Sequence, residues 1–318
     1  MSFKLKKKNI KVGIIGFGNI GQKRFKALSM IKKFHIDVVY IVDFHKPKNL
    51  NKNIKYFKNW KDIKSIKVDL VIVSTPTSES KIIVKNLCNK FNIIVEKPLS
   101  NKINQIKKII HKSNQNKKML KIGYNLRFDD GLLKAKKLID QNLLGKIYYI
   151  KIFYANGAAK TNSNNVGSLL DMGTHSLNLL IWITKIKNFK IIKAISQKNE
   201  FLKKTKIDNG FILLKAKNIH SIIHHGFCTW KNNFYLEIIG SKGLIRINSL
   251  SKWKDQKVTF GIRKLPDGKP DNKQWYFKKD NSWKNELMFV FNAINNKKNY
   301  KKINLEGIET INIIKKLI

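Results

Sequence analysis

The amino-acid sequence predicts an α/β chain in two parts: a doubly wound parallel sheet, then an α+β domain with a large, mostly antiparallel sheet. Three observations carry this. Up to Tyr124, continuous β-branched apolar runs alternate with helical patterns, the signature of parallel strands buried on both faces and joined by crossover helices. Beyond Tyr124, strand-like runs follow one another with no helix between them, which indicates antiparallel pairing. With 42% apolar residues in 318, the chain can bury a core in each part.

In order, the strands of the first part are expected at 10–16 (IKVGIIG), 36–43 (IDVVYIVD), 68–75 (VDLVIVST), 92–98 (NIIVEKP) and 118–125 (KMLKIGYN). Between them, GQKRFKALSMIKKF, SKIIVKNLCNKF and NKINQIKKIIHKSNQNK space apolar residues three or four apart, as amphipathic helices do. The second part opens with a helix candidate, DDGLLKAKKLIDQNLL, then the run KIYYIKIFYA, a polar stretch NGAAKTNSNNVGS and a second helix, LLDMGTHSLNLLIWIT. Strand-like runs follow near 189–196, 210–217, 219–229, 234–239 and 243–247, and two helical patterns close the chain. This places the domains at 1–123 and 124–318.

Lys plus Arg number 65 against 20 Asp plus Glu, a net charge of +45 that first suggests a polyanionic partner. Only Arg24, Arg127, Arg246 and Arg263 are arginines, however, and the lysines are spread along the chain with Ile and Asn. A surface that reads nucleic acid favours the planar guanidinium fork, so a compositionally biased, solvated surface is the better account and nucleic acid is not the expected partner. Cys88 and Cys228 are far apart and form neither a disulfide framework nor a zinc knuckle. No run approaches the length of a membrane span and the basic N-terminus lacks an apolar h-region, so a cytoplasmic location is expected.

The stretch VGIIGFGNIGQKR holds Gly16, Gly18 and Gly21 at G-x-G-x-x-G spacing. Alone the pattern is weak and suits a plain strand-to-helix turn equally well, but here it follows a strand and opens a helix. In that context Gly16 permits the tight turn, Gly18 lets backbone approach a pyrophosphate and Gly21 lets helix pack on strand. Phe17, Asn19 and Ile20 complete the turn, whose amides suit phosphate at a helix N-terminus. The next strand ends in Asp43, placed to accept the ribose hydroxyls. A Rossmann domain binding NAD is therefore expected. NADP remains possible because His45, Lys46 and Lys48 can neutralise a 2′-phosphate.

At the carboxyl edge of the same sheet, Ser74, Thr75 and Pro76 end one strand and Glu96, Lys97 and Pro98 another, where open α/β sheets bind ligands. Lys97 thus sets an ammonium beside the cofactor cleft. Asp171 and His175 stand i, i+4, so a helix brings them one turn apart. Such a pair suits a general acid/base, and it equally suits a helix-surface ion pair. Asn125 and Arg127 follow the last Rossmann strand, where they either touch substrate or fasten the junction. Lys160 and Thr161, in the polar loop 155–168, are further candidates for substrate contact.

Taken in order, GFGNIG at 16–21, EKP at 96–98, GYNLRF at 123–128, DMGTH at 171–175 and EIIGSKGLIRI at 237–247 resemble the glucose-fructose oxidoreductase, inositol dehydrogenase and rhizopine-catabolism (Gfo/Idh/MocA) family. The resemblance spans nearly the whole chain. It implies a Rossmann domain, and a C-terminal sheet whose open face makes dimer contacts, hence a homodimer or homotetramer. It also implies that Lys97, Asp171 and His175 form the catalytic group. The activity implied is hydride transfer between a nicotinamide and the hydroxyl or carbonyl carbon of a sugar, inositol, sugar acid or nucleotide sugar. The chain departs from the pattern at Ser80, where the family often carries a histidine, and at VGSLLD, where the glycine-rich approach is reduced.

Two rival readings remain. HSIIHHGFC holds His220, His224, His225 and Cys228, but in a strand His225 faces away from the other two histidines, so no metal is expected. A non-catalytic dinucleotide sensor would share the fold, yet it has no need of Lys97, Asp171 and His175.

Overall fold

The computed structural model describes residues 8–100, 102–157, 167–198, 208–264, 271–296 and 299–317. The first part runs β1 (Asn9–Ile15), α1 (Asn19–Ser29), β2 (His35–Val42), β3 (Lys55–Phe57), β4 (Leu70–Val73), α2 (Thr77–Leu87), β5 (Ile93–Glu96), α3 (Ile103–Gln115) and β6 (Leu120–Gly123). The second runs α4 (Asp130–Asp140), β7 (Ile147–Ala155), α5 (Thr174–Thr184) and β8 (Lys190–Gln197). It continues through β9 (Asn209–Ala216), β10 (Ile219–Gly226), β11 (Asn233–Gly240), β12 (Gly243–Asn248), β13 (Gln256–Ile262) and β14 (Asp271–Phe277). Three helices close the chain, α6 (Ser282–Asn295), α7 (Lys301–Leu305) and α8 (Ile308–Lys315).

The first six strands form one parallel sheet in the order β3-β2-β1-β4-β5-β6. Strand order reverses between β1 and β4, and at such a switch point the carboxyl ends of neighbouring strands diverge and open a crevice. Strands β4 and β5 are buried from Leu70 to Val73 and from Ile93 to Val95, which is why they read as unbroken apolar runs. The sequence did not mark the three-residue edge strand β3.

The chain does not divide at a single point. One compact unit holds the residues up to Tyr124 together with Trp283–Ile308, and the other holds Asn125–Ser282 with Glu309 onward. The division expected at 123/124 is thus supplemented by a return of the chain to the first unit. The reason is apolar: Leu287, Val290, Phe291 and Ala293 of α6 pack with Ile10, Val12, Leu28 and Leu70 in one core. Asn304, just 1% exposed, fastens the return by accepting from Leu120 N at 2.7 Å.

The second unit is an eight-stranded sheet, β14-β13-β12-β11-β7-β10-β9-β8, antiparallel throughout except for the β7–β10 pair. The sequence missed β13 and β14; β14 is an edge strand, which leaves Asp271 to Gln274 exposed and removes the apolar alternation there. Helix α4 packs on β12 to β14 and α5 on β7 and β10. This covers the face that carries Ile150, Ile152 and Tyr154.

The opposite face carries an aromatic row. Register places Ile195, Phe211, His224, Phe153 and Tyr235 side by side across five strands. In the next row Glu237, 5% exposed, receives Tyr235 Oη at 2.7 Å, Arg246 Nη2 at 2.7 Å and Lys151 Nζ at 3.1 Å. Burial opposes ionisation of Glu237, but these three donors outweigh it and hold its carboxyl at about 2. A carboxylate depressed in the folded state stabilises above its unfolded value and loses that contribution as pH falls toward 2. Glu237→Gln is therefore expected to cost about 1–3 kcal/mol at pH 7 in urea unfolding and to flatten the stability profile between pH 5 and pH 2.5.

Candidate active site

The glycine turn is laced to the ends of its neighbouring strands. Gly16 N donates to Val42 O at 2.8 Å, Ser74 N to Ile15 O at 2.8 Å, and Phe17 N to Asp43 Oδ2 at 2.6 Å. Gly16 stands at φ +86, and a Cβ there would lie 2.8 Å from the Ser74 backbone, so only glycine fits. The carboxylate expected to meet a ribose thus braces the turn by accepting from its second residue.

The residues fit a dinucleotide. Beside Gly18 no atom lies within 4 Å of where a Cβ would stand, so the approach to the first amides of α1 is open. Those amides carry no side-chain cap and no acidic residue sits in the first turn of α1, which leaves positive potential for a pyrophosphate. Ser74 Oγ is buried beside the turn with no hydrogen-bond partner among the described residues. Thr75 and Pro76 follow it. Ser80, where a histidine is usual in the pattern, is 1% exposed and bonds Thr75 O at 2.8 Å and Thr75 Oγ1 at 2.9 Å. It fixes the turn after β4.

Glu96 ends β5 and is gripped by Arg24, a residue that motif reading passed over. Arg24 is 0% exposed and donates from Nε and Nη2 to Glu96 Oε1 at 2.8 and 2.6 Å, and from Nη1 to Glu286 Oε2 of α6 at 2.8 Å. The Trp283 ring lies 4.7 Å from its guanidinium carbon. Burial pushes the Glu96 carboxyl up against the pull of Arg24. Lys121, also 0% exposed, joins the cluster 3.8 Å from Glu286 and 3.3 Å from Glu306. Lys97 follows Glu96 directly and leads through a cis bond into Pro98. The ammonium that the sequence singled out therefore sits one residue from a buried, forked ion pair.

In the second unit, Asp171 lies in a wide π turn, Leu169–Gly173, that runs straight into α5, where His175 is the second residue. The sequence predicts a continuous α-helix over the pair, but the π turn widens its first half. Hydroxyls feed this turn's carbonyls: Thr174 Oγ1 donates to Leu170 O, and Ser176 Oγ to Met172 O at 3.4 Å. Gly173 lies in close packing: a Cβ there would stand 2.9 Å from Leu169 Cδ1, a side-chain tip that would have to shift, and 3.4 Å from the His225 ring.

His225 is the strut beneath the turn. It is 1% exposed, its Nδ1 meets Ser168 Oγ at 2.8 Å, and burial with neighbouring His224 drives its pKa down to about 3. His224 lies on the aromatic face stacked 4.6 Å from Phe211. The histidine-rich stretch therefore serves two faces of the sheet, and no cluster of three potential ligands exists among the described residues.

His175 is 8% exposed, with its ring 6.0 Å from that of Tyr154. Arg127 points to this helix too, donating to Asn178 Oδ1 at 2.5 Å, and Asn178 in turn donates to Thr310 Oγ1 at 2.9 Å. Asn125 donates to Ser282 Oγ at 3.0 Å. Both act as fasteners within the second unit. Lys160 and Thr161 lie outside the described residues.

The sequence pattern of the oxidoreductase family with an NAD-binding Rossmann fold matches residues 10–124, and that of the GFO/IDH/MocA C-terminal domain matches residues 132–246. The chain belongs to the Gfo/Idh/MocA family of oxidoreductases. Myo-inositol 2-dehydrogenase of Thermotoga maritima is 23% identical over 74% of this chain and 74% of that protein. Glucose-6-phosphate 3-dehydrogenase of Bacillus subtilis is 24% identical over 73% and 67%. Among solved structures, KijD10, a 3-ketoreductase from Actinomadura kijaniata in complex with NADP and TDP-benzene, superposes with a TM-score of 0.78 at 13% identity, covering 96% of this chain and 95% of that one. Membership in Gfo/Idh/MocA decides for an NAD(P)-binding oxidoreductase over a non-catalytic sensor.

The Arg24 cluster makes a thermodynamic demand on this fold. Arg24→Met would take the guanidinium from both Glu96 and Glu286 and leave Lys121, at 3.8 Å, as the nearby cation of Glu286, and a loss of about 3–5 kcal/mol is expected in chemical denaturation. Arg24→Lys, which keeps the charge without the fork, should recover part of it.

Proposed function

We propose that this chain is an NAD(P)-dependent dehydrogenase or reductase acting on a hydroxyl or carbonyl carbon of a sugar, inositol, sugar acid or nucleotide sugar. The observation that supports it most is the family match across both parts, with Lys97 next to the anchored Glu96 and with Asp171 and His175 on consecutive turns. Gly16, Phe17, Gly18, Asn19, Ile20, Gly21, Asp43, Ser74, Thr75, Pro76, Glu96 and Lys97 would hold the dinucleotide, which supplies a hydride acceptor or donor when bound. His175 takes the proton of the reacting hydroxyl, or returns it in reduction. Lys97 donates a hydrogen bond to the same oxygen and stabilises its developing negative charge. Asp171 orients the site electrostatically.

Asp43 favours NAD, because its carboxylate would repel a 2′-phosphate at the ribose. Cys88 and Cys228, far apart in the sequence and without C-x-x-C spacing, suit a reducing, cytoplasmic setting, and no helix among the described residues is long and apolar enough to cross a membrane. The aromatic row on the open sheet face, with Ile195 50% and Phe211 43% exposed, suits a homodimer or homotetramer built through that face.

Two measurements test these assignments. In an assay following NAD(P)H absorbance over sugars, cyclitols and sugar acids, Lys97→Ala and His175→Ala are each expected to lower kcat at least about a hundredfold while NAD affinity changes little. NAD should give the higher kcat/KM, with Asp43→Ser narrowing the gap. Unaltered turnover in both active-site variants would remove the catalytic assignment. By light scattering, the native chain should run as an oligomer and Phe211→Glu as a smaller species; identical masses would remove the sheet-face interface.

A further inference from the structure

We propose that Lys252 and the hydroxyl of Tyr154 bind an anionic group of the substrate, a phosphate or a carboxylate, beside His175. The inference rests on the dehydrogenase reading and narrows its substrate class. Tyr154, near the carboxyl end of β7, is 4% exposed, and its ring lies 6.0 Å from that of His175, 5.7 Å from Phe234 and 6.4 Å from Trp253. Lys252 sits in the short turn Ser251–Trp253. That turn is fixed from below: Ser251 donates from its amide at 3.3 Å and from its hydroxyl to buried Asp129, the residue that also caps α4.

Lys252 is exposed, and its ammonium meets Tyr154 and Trp253 without a counter-charge among the described residues. It donates to Tyr154 Oη at 2.9 Å and stands 4.8 Å from the Trp253 ring centroid and 5.3 Å from that of Tyr154. Among the described residues no carboxylate lies within ion-pair distance of it. A lysine gives up considerable rotamer freedom to be held this way, and a salt bridge to a protein acid is not what holds it. Two aromatic faces stabilise the cation and leave two of its three N–H donors to water, which a ligand can displace. Tyr154 accepts through its oxygen, so its own proton is available to a further acceptor. Two donors therefore aim at one place, next to the residue assigned to move the proton. An oxyanion satisfies both, and the flat face of Trp253 suits the C–H side of a sugar ring.

The test compares glucose, glucose 6-phosphate and glucuronate in the NAD(P)H assay with both cofactors. Native protein is expected to give a kcat/KM at least about tenfold higher for one of the anionic sugars than for glucose. Preference for glucose 6-phosphate identifies a phosphate ester, and preference for glucuronate a carboxylate. Lys252→Met should lower the anionic-to-neutral ratio about tenfold, and Tyr154→Phe about threefold, both chiefly through KM. Lys254→Met, which removes a second exposed lysine of the same loop but not the one bonded to Tyr154, should keep the ratio. A native ratio near one, or a ratio unmoved by Lys252→Met, overturns the proposal while leaving the dehydrogenase reading intact. If none of the three sugars is turned over, calorimetric binding of the two anionic sugars decides: at least about tenfold weaker binding to Lys252→Met, or to Lys252→Gln should that variant not fold, upholds the subsite, and absent or unaltered binding ends it.

Discussion

The buried fork of Arg24 is the constraint on which the first unit depends. Its guanidinium reaches the end of β5 through Glu96 and the helix α6 through Glu286. It starts from α1, the helix opened by the glycine turn. Three segments far apart in sequence are thereby held at the carboxyl edge of one parallel sheet. Desolvation of these charges is offset only while every partner is in place, so the cluster behaves as a single unit. Gly123 follows from it, since a Cβ at that position would lie 2.6 Å from Arg24 Nη2.

A corresponding support exists in the second unit, built from neutral groups. His225 is kept uncharged by burial and bonds Ser168 at the entrance to the π turn, while Gly173 lets that turn lie against the imidazole. Asp171 and His175 thus inherit their positions from a sheet residue with no chemical task of its own. Buried Asp129 does the same for the turn carrying Lys252. In each case the group offered to a ligand is mobile in type, a lysine or a histidine, but is fixed by a neighbour that water does not reach.

The sequence made these two layers unequally legible. Strands β1, β2, β4, β5 and β6 were readable because burial on both faces leaves an unbroken apolar run, and the glycine turn was readable because its spacing is forced by backbone geometry. Lys97, Asp171 and His175 stood out through short motifs. Strand β14 did not, because an edge strand with exposed polar residues has no period to detect. Nor did α6 and α7 announce their return to the first unit, since an apolar helix face does not name the core it will enter. Lys121 was invisible for a simpler reason: a buried lysine looks like any other in a chain this rich in lysine.

A signal for the hidden charges was nevertheless present in what the composition lacks. Where lysine fills nearly every basic position, an arginine marks a place that needs a planar fork. Three of the four arginines fill such places: Arg24 between two buried glutamates, Arg127 on Asn178, and Arg246 on Glu237. The scarce acids show the same selection, with Glu96, Glu237 and Glu286 all drawn into multiply bonded clusters. Lysine would supply the charge at each site but not the geometry, because a point ammonium lacks the planar set of donors that lets Arg24 place two on Glu96 while reaching Glu286, and Arg246 two on Glu237. In a chain with so skewed a composition, the minority charges trace the fixed framework, and a lysine becomes informative through the groups it meets, as Lys252 does at Tyr154 and Trp253.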